Sequence, residues 1–276
     1  MNSQDLYSNI RKKKSYLCVG LDSDLEKIPQ HLKNYKHPVF EFNKQIIDAT
    51  ACYALAYKPN LAFYECRGSE GWRDLELTAE YIKTHYPDQF LIADAKRGDI
   101  GNTSAMYAKA FFNTMNFDAV TVAPYMGEDS VKPFLTYKEK FIIILALTSN
   151  PGASDFQYFT SDKDELLFSE VIRKSKNWGT IDNIMYVVGA TKSSMLKSIR
   201  KQIPDHFLLV PGIGAQGGSL EEVSVAGLNK KCGLLVNSSR SIIFAGNEKD
   251  FAEKASAESK KLQRQMEKLL ENSRLI

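Results

Sequence analysis

The feature that most restricts the fold of this chain is a set of eight short apolar runs that alternate with segments of helical periodicity. The runs lie at residues 16–21, 54–57, 90–93, 119–123, 141–147, 185–188, 207–210 and 233–236. Helical spacing of apolar residues is seen at 39–52, 71–85, 102–116, 164–176, 193–203 and 220–228, and a polar helix is expected at 248–271. Near-continuous apolar runs are typical of strands buried on both faces of a parallel sheet. The pattern therefore predicts an α/β protein, a (β/α)8 TIM barrel, with a doubly wound open sheet as the alternative.

The alternation continues without a break that would mark a second domain. No linker rich in proline, glycine or serine and no low-complexity tract interrupts it, so we expect a single barrel domain over residues 1–276. The segment 150–179, between the fifth and sixth runs, is longer than a minimal strand-to-helix unit. It is either a loop that covers a substrate or an insertion packed on the rim, and the sequence favours neither.

Composition narrows the range of partners and locations. The net charge of +3 gives no electrostatic case for nucleic acid or a membrane as the main partner. Residues 1–5 lack the apolar stretch of a signal peptide, and the longest apolar run, Phe141–Leu147, is too short to cross a bilayer. Cys18 and Cys232 lie in apolar runs, and no cysteine pair has C-x-x-C spacing, which predicts buried, reduced thiols. We therefore expect a cytoplasmic protein.

Charged residues directly follow the third apolar run. Asp94 and Lys96 come after residues 90–93, and Asp99 follows three residues later. Strand side chains alternate between faces, so Asp94 and Lys96 are expected on the same side. Charges after a strand are most often part of a solvated loop. Here they lie at the carboxyl end of a predicted strand, which is where α/β proteins place their sites.

Polar residues follow other predicted strands in the same way. Because the carboxyl ends of barrel strands share one end of the barrel, these residues are expected to converge there. They are Asp22 after the first run, Lys58 and Asn60 after the second, Ser149 after the fifth, Pro211 after the seventh and Arg240 after the eighth. Lys58, Asp94, Lys96 and Asp99 would form a set of alternating positive and negative charges.

The last two strand ends predict a phosphate site. Residues 211–218 read Pro-Gly-Ile-Gly-Ala-Gln-Gly-Gly, and glycines let backbone N–H groups approach an anion closely. Arg240 adds a planar fork that matches phosphate oxygens. The alternative is that the glycines only permit tight turns. The loops after strands seven and eight are, however, the usual phosphate-binding place in such barrels. The same loop is able to act as a lid.

The sequence gives no support for metal or hydrolase chemistry. The four histidines stand alone, without a plausible serine or cysteine nucleophile beside them. No His-Glu-x-x-His motif and no cysteine cluster is present. We expect neither a metal nor a cofactor.

These motifs together resemble the orotidine 5′-phosphate decarboxylase family. The family signature Asp-x-Lys-Arg-x-Asp-Ile-x-x-Thr is present in full from Asp94 to Thr103. Supporting matches are Gly-Leu-Asp at 20–22, Lys-Pro-Asn at 58–60, Thr-Ser-Asn-Pro-Gly at 148–152, the 211–218 loop and Ser-Arg at 239–240. The resemblance covers residues 15–247, and the loops at 64–72 and 150–179 look longer than in compact members, as in the larger branch of the family.

The resemblance implies a role for each matching residue. The catalytic residues would be Lys58, Asp94, Lys96 and Asp99, with Lys96 as the proton donor. Asp99 and Thr103 would enter the active site of a second subunit, so a homodimer with shared sites is implied. Asp22 and Asn60 would contact the ribose, with Lys58 also near a ribose hydroxyl. Ser149 would contact the pyrimidine edge, and Gln216 and Arg240 the phosphate. Pro211 and Thr103 would complete the set of substrate-binding residues. The implied reaction converts orotidine 5′-monophosphate to UMP and carbon dioxide without metal or cofactor.

Two other functions fit parts of the same pattern. Related barrels with an Asp-x-Lys-x-x-Asp motif are metal-dependent sugar-phosphate decarboxylases or aldolases, but they carry an acidic metal ligand where this chain has Lys58. The chain would otherwise be a catalytically silent nucleotide-binding barrel, which retention of all four charged residues disfavours.

Overall fold

A computed structural model shows a closed barrel of eight parallel strands, and it describes residues 1–160, 164–189, 193–212 and 218–276. Each strand pairs with the next, and the last pairs with the first through Cys18 and Asn237. The predicted (β/α)8 TIM barrel is confirmed, and the open-sheet alternative is wrong. The strands are β1 (Leu17–Leu21), β2 (Ala56–Pro59), β3 (Phe90–Arg97), β4 (Ala119–Val122), β5 (Phe141–Leu147), β6 (Ile184–Val188), β7 (Leu208–Pro211) and β8 (Leu234–Ser238).

Twelve α-helices are found among the described residues, most of them outside the barrel. They are α1 (Ser3–Lys13), α2 (Pro38–Thr50), α3 (Ala62–Glu65), α4 (Gly68–His85), α5 (Gly101–Lys109), α6 (Glu128–Leu135), α7 (Ala153–Phe156), α8 (Leu167–Ser175), α9 (Ser193–Gln202), α10 (Leu220–Gly227), α11 (Arg240–Ile243) and α12 (Phe251–Asn272). Short 3-10 turns lie at Gln30–Leu32 and Pro124–Met126, and a π-helical turn at Ala110–Thr114 continues α5.

Two layers of apolar side chains hold the barrel together. Strands β1, β2, β4, β6 and β8 are buried along their whole length, because one face points into the barrel and the other packs against the helices. The buried rings of Phe90 on β3 and Phe141 on β5 have centroids 5.7 Å apart in an edge-to-face arrangement. The rigid barrel fixes where each strand ends, and so where its next residue points.

The third strand runs four residues further than the apolar run that predicts it. The run ends at Ala93, whereas β3 continues to Arg97 and carries Asp94 and Lys96 within the strand. The pairing of β3 with β4 shifts register between Ala93 and Arg97. The polar end of β3 therefore belongs to the sheet but is irregular in shape.

Helix α12 packs against β1 and α2 on the outside of the barrel. Its buried side chains are Phe251, Ala255, Ser259, Met266 and Leu270. Phe251 stacks on Phe42 of α2 with ring centroids 5.3 Å apart. The ends of the chain also meet, since Tyr7 donates a hydrogen bond to the carbonyl of Leu275 (3.1 Å) and Lys14 pairs with Glu267 (2.6 Å).

The cysteine prediction is confirmed for the two residues it concerns. Cys18 and Cys232 are buried free thiols, while Cys52 and Cys66 are free and exposed. Across the described ranges, every helix is either too short or too polar to cross a bilayer.

Candidate active site

Asp94 lies between two lysine ammonium groups at the mouth of the barrel, the end where the carboxyl ends of the strands meet. Lys58, near the end of β2, donates from Nζ to Asp94 Oδ2 over 2.8 Å. Lys96 donates from Nζ to Asp94 Oδ1 over 2.6 Å. The structure therefore brings together three of the four residues predicted to form the charged set.

Burial separates the two lysines. The side chain of Lys58 is 5% exposed and that of Asp94 is 11% exposed, whereas that of Lys96 is 50% exposed. The ammonium group of Lys96 is therefore accessible to a molecule bound at the mouth. Lys58 is the buried partner of the same carboxylate.

The pKa values of this pair move in the directions that keep both groups charged. Burial disfavours the carboxylate of Asp94, but the two lysines outweigh it and hold the pKa of Asp94 well below its usual range. Burial likewise opposes the ammonium of Lys58, but the negative charges of Asp94 and Asp22 raise its pKa above the usual value. Both groups are consequently ionised at neutral pH.

The backbone at Lys96 is in an unusual conformation. Its φ of 48° falls in the left-handed region, which costs a side-chain-bearing residue about 1–3 kcal/mol. The bulge in β3 requires this angle, because Arg97 rather than Lys96 pairs with Val122 of β4. Arg97 itself pairs with Glu65 of α3 and donates to the carbonyl of Ala95 (2.9 Å). Asp94 and Lys96 thus meet through a bulge, not through the simple alternation that the sequence suggested.

Among the described residues, neither Asp99 nor Thr103 forms a hydrogen bond or ion pair with Lys58, Asp94 or Lys96. Asp99 accepts a hydrogen bond from the backbone N–H of Ile100 (2.7 Å), and within the described residues no ion pair joins it to Lys58 or Lys96. Thr103 is exposed on α5, at the start of which Ile100 is also exposed. A single chain therefore does not complete the predicted set of four charges.

Asp22 and Asn60 lie beside the charged cluster. Asp22 follows β1, and its negative charge is one cause of the raised pKa of Lys58. Its Oδ1 atom is buried and has no hydrogen-bond partner among the residues that the structure describes. Asn60 follows β2 and pairs with Asp94 in an isolated parallel bridge. Both residues are positioned at the mouth, as the sequence predicts.

Ser149 is exposed just beyond β5. Its neighbour Thr148 is held by Gln157 of the following segment, which accepts from the Thr148 N–H (2.8 Å) and donates to its hydroxyl (2.7 Å). A Cβ on Gly189 would lie 2.9 Å from the Cβ of Ser149, so only glycine lets β6 end this close to it. Gln157 thus ties the segment after β5 to the rim of the mouth.

The predicted phosphate residues are described only in part. Pro211 ends β7, and exposed Arg240 begins the short helix α11 directly after β8 and Ser239. Gln216 lies outside the described residues. Next to Arg240, a Cβ on Gly20 would come within 1.9 Å of Ser239 Oγ, so β1 and the end of β8 touch through glycine.

Two residues near the carboxylate have no place in the sequence motifs. Thr121 of β4 donates to Asp94 Oδ1 (3.1 Å) and accepts from the backbone N–H of Lys96 (2.8 Å). Cys18 of β1 is electrostatically coupled to Lys58, and burial raises the pKa of its thiol to about 12. Both belong to apolar runs, where periodicity suggests only core packing, so the sequence carries no signal for them.

No metal-binding group is found in the parts of the chain that the structure describes. No three or more His, Cys, Asp or Glu side chains come together there in a way that would hold an ion. The carboxylate of Asp94 is instead neutralised by two lysines. This arrangement can present positive charge and a transferable proton to a bound molecule.

Comparisons with known proteins show the family of this chain. The model of the "Orotidine 5'-phosphate decarboxylase / HUMPS family" matches residues 15–255. Relatives called orotidine 5′-phosphate decarboxylase include one from Phocaeicola vulgatus, 62% identical over 98% of this chain and 99% of its own length, and one from Parabacteroides distasonis, 58% identical over 100% and 99%. The solved structure of Leishmania donovani OMP decarboxylase has a TM-score of 0.79 and 34% identity, over 96% of this chain and 99% of that one. The chain belongs to the orotidine 5′-phosphate decarboxylase family.

Proposed function

We propose that this chain converts orotidine 5′-monophosphate to UMP and carbon dioxide by electrostatic catalysis, with Lys58, Asp94, Lys96 and Asp99 as the catalytic residues. The reaction is that of its family, and it makes the chain a carbon–carbon lyase of pyrimidine biosynthesis. The observation that carries the residue assignment is the buried carboxylate of Asp94 held between the ammonium groups of Lys58 and Lys96. We propose the cytoplasm as the location of this biosynthetic step.

The chemical problem is the charge left behind when carbon dioxide departs. Cleavage of the bond to C6 places an electron pair in the plane of the pyrimidine ring, where it cannot delocalise into a carbonyl. Fixed positive charge close to C6 stabilises it, most strongly where water is excluded. Lys96 is the ammonium that is both half exposed to the mouth and hydrogen-bonded within the site. It stabilises the carbanion and then transfers its proton to C6.

Asp94 and Lys58 set the conditions for that step. Asp94 would lie close to the substrate carboxylate, and their repulsion fades as carbon dioxide departs. We rank this ground-state effect below the stabilisation by Lys96. Lys58 keeps Asp94 ionised and in place, because it donates to the carboxylate oxygen that Lys96 does not use.

We propose that the fourth charged residue comes from a second copy of the chain. Asp99 contacts neither lysine of its own chain within the described residues, although it follows Lys96 closely in sequence. Ile100 and Met106 are large apolar side chains more than half exposed on either side of Thr103. An interface at the start of α5 would cover them and carry Asp99 and Thr103 into the partner's mouth.

The remaining predicted residues would bind the parts of the nucleotide that do not react. Asp22 and Asn60 would contact the ribose, and Ser149 the pyrimidine edge. Pro211, Gln216 and Arg240 would surround the phosphate. Binding energy from the phosphate is then available to assemble the site around C6.

A direct assay tests the reaction. Purified protein should decrease the ultraviolet absorbance of orotidine 5′-monophosphate in buffer without added metal or cofactor, and equally in excess EDTA. UMP should appear in the same amount as substrate is lost. Activity that EDTA removes would favour the metal-dependent sugar-phosphate chemistry of related barrels. UMP binding without turnover would favour a silent nucleotide-binding barrel.

A mixing experiment tests the shared site separately. Asp94→Ala and Asp99→Ala chains should each be inactive alone. Mixed and re-dimerised, they should regain activity at one of the two sites in each heterodimer, since one site then contains both aspartates. If heterodimers are confirmed by mass and stay inactive, Asp99 does not act across the interface.

A further inference from the structure

We propose that Thr121 is a positioning residue for the decarboxylation: its hydroxyl fixes the backbone of Lys96 and the carboxylate of Asp94 relative to each other. The inference rests on the proposed function, because it concerns the placement of the proton donor. Thr121 is not part of the sequence signature and lies on a different strand, β4. It contacts both members of the reacting pair directly.

The register of β3 and β4 gives Thr121 its place. Ala93 pairs with Val120 and Arg97 pairs with Val122, so three residues of β3, 94–96, lie opposite Thr121 alone. A backbone arched in this way cannot keep the regular ladder of hydrogen bonds with its neighbour. The side chain of Thr121 supplies the missing acceptor, at 2.8 Å from the N–H of Lys96.

The direction of both hydrogen bonds is determined. An N–H group only donates, so the Thr121 oxygen accepts from Lys96. The carboxylate of Asp94 is held ionised and only accepts, so the single Thr121 hydrogen points to Asp94 Oδ1, 3.1 Å away. The hydroxyl therefore links the backbone of Lys96 to the oxygen that the ammonium of Lys96 also contacts, at 2.6 Å.

Burial makes this link rigid. Thr121 is 1% exposed, so water is not freely available to replace its hydroxyl. Without the hydroxyl, the strained backbone at Lys96 loses a partner that holds it in the left-handed conformation. The ammonium would then be held less closely to its productive position, and small displacements of catalytic groups reduce rates strongly.

Three variants separate positioning from packing. Thr121→Val removes the hydroxyl and keeps the shape of the side chain, while Thr121→Ser keeps the hydroxyl. Thr50→Val is the matched control: the buried hydroxyl of Thr50 donates to the carbonyl of Ile46 on helix α2 and also contacts the hydroxyl of Tyr57 (2.8 Å), on the outer side of the barrel. We expect Thr121→Val to lower kcat by about 10- to 100-fold with KM and UMP affinity within about threefold of wild type. Thr121→Ser should restore kcat to within about threefold, and Thr50→Val should leave it unchanged.

A second measurement does not depend on turnover. Hydrogen exchange of the Lys96 amide, followed by NMR, should be at least about tenfold faster in Thr121→Val than in wild type or Thr121→Ser. The amide of Leu91 on the same strand donates to Asp118 and should be unchanged. This result is readable even if wild-type protein does not turn over orotidine 5′-monophosphate, which would contradict the proposed function instead.

Three outcomes would overturn the proposal. One is a Thr121→Val protein with wild-type kcat. Another is equal loss in the valine and serine variants, which would indicate a packing role. The third is a Lys96 amide whose exchange is indifferent to the hydroxyl.

Discussion

A basic side chain is buried at each end of the barrel, and the two differ in the groups that they contact. Lys58 at the mouth forms an ion pair with Asp94. Arg200 of α9 lies at the floor, the end where the strands begin, and is 8% exposed. Among the described residues no ion pair joins Arg200 to a carboxylate; it donates instead to backbone carbonyls, including those of Gly227 (2.8 Å), His206 (2.6 Å) and Gly233 (2.8 Å).

The pKa values show what this difference means. Opposing charges raise the pKa of Lys58 despite its burial, whereas burial lowers the pKa of Arg200 to about 10. The guanidinium of Arg200, on α9, donates its N–H groups to carbonyls of α10 and of the residue just before β8, and so links these three segments. At the mouth, by contrast, two lysine ammonium groups surround the single carboxylate of Asp94. Charge at the floor therefore holds the fold, and charge at the mouth is available for chemistry.

The largest effect that would test this division is expected at Lys96. Lys96→Ala should reduce kcat by about 10⁴-fold or more, because it removes both the stabilising charge and the proton donor. The free energy of unfolding should change by less than about 1 kcal/mol, since the side chain is half exposed. Steady-state kinetics and urea unfolding measure the two effects. Lys138→Ala, at an exposed lysine, is the control, and substantial residual activity in Lys96→Ala would refute the proton-donor role.

The opposite pattern is expected at the floor. Arg200→Met should lower the free energy of unfolding by about 3 kcal/mol, because several buried carbonyls lose their donor. Activity per folded molecule should stay within about twofold of wild type. The neighbouring exposed Lys201→Met should change stability by no more than about 0.5 kcal/mol. A large loss of kcat in folded Arg200→Met would show that the two ends are coupled.

Arg240 provides a smaller test within the mouth. Arg240→Ala should reduce kcat/KM for orotidine 5′-monophosphate by about 100-fold, through the lost charge-assisted contact with phosphate. Activity on orotidine, which lacks the phosphate, should be nearly unchanged. Lys249→Ala, an exposed cation in a neighbouring loop, serves as control. An equal loss on both substrates would contradict the phosphate assignment.

The smallest expected effect is on the pH dependence of stability, through His206 near the floor of the barrel. Burial, with Arg200 nearby, lowers the pKa of His206 from its ordinary 6.5 to about 4. Between about pH 4 and 6.5, His206 is therefore protonated in the unfolded chain and neutral in the folded chain. The free energy of unfolding consequently falls as pH drops from about 6.5 toward 4, and above about pH 6.5 His206 causes no such loss. His206→Phe should reduce the loss of unfolding free energy between pH 7.5 and 5 by about 1–2 kcal/mol. An unchanged slope would mean that His206 titrates normally in the folded state.

The sequence predicts the fold better than it predicts the details of the site. Apolar runs identify all eight strands because burial on both faces leaves a strong signal. The apolar pattern does not predict helix α6, since Pro133 lies inside it and a proline usually argues against a helix. The same pattern ends β3 at Ala93, because polar residues hide the part of the strand that continues to Arg97.

At the site, the motif predicts which residues meet but not how. Asp94, Lys58 and Lys96 come together as expected. The left-handed Lys96 and the hydroxyl of Thr121 depend on the register between β3 and β4, which is a property of the closed sheet. The predicted contact of Asp99 with the same cluster is not formed within the described residues of one chain, and Gln216 lies outside those residues.

The pairing of β1 with β8 has a consequence for how this enzyme is made in the cell. Cys18 pairs with Asn237, and Gly20 lies against Ser239, only after the ribosome has synthesised the chain through β8. Arg240 directly follows β8 and reaches its place in the same step. A nascent chain that has already formed the cluster of Lys58, Asp94 and Lys96 would still lack this side of its binding site until the first and last strands of the barrel pair.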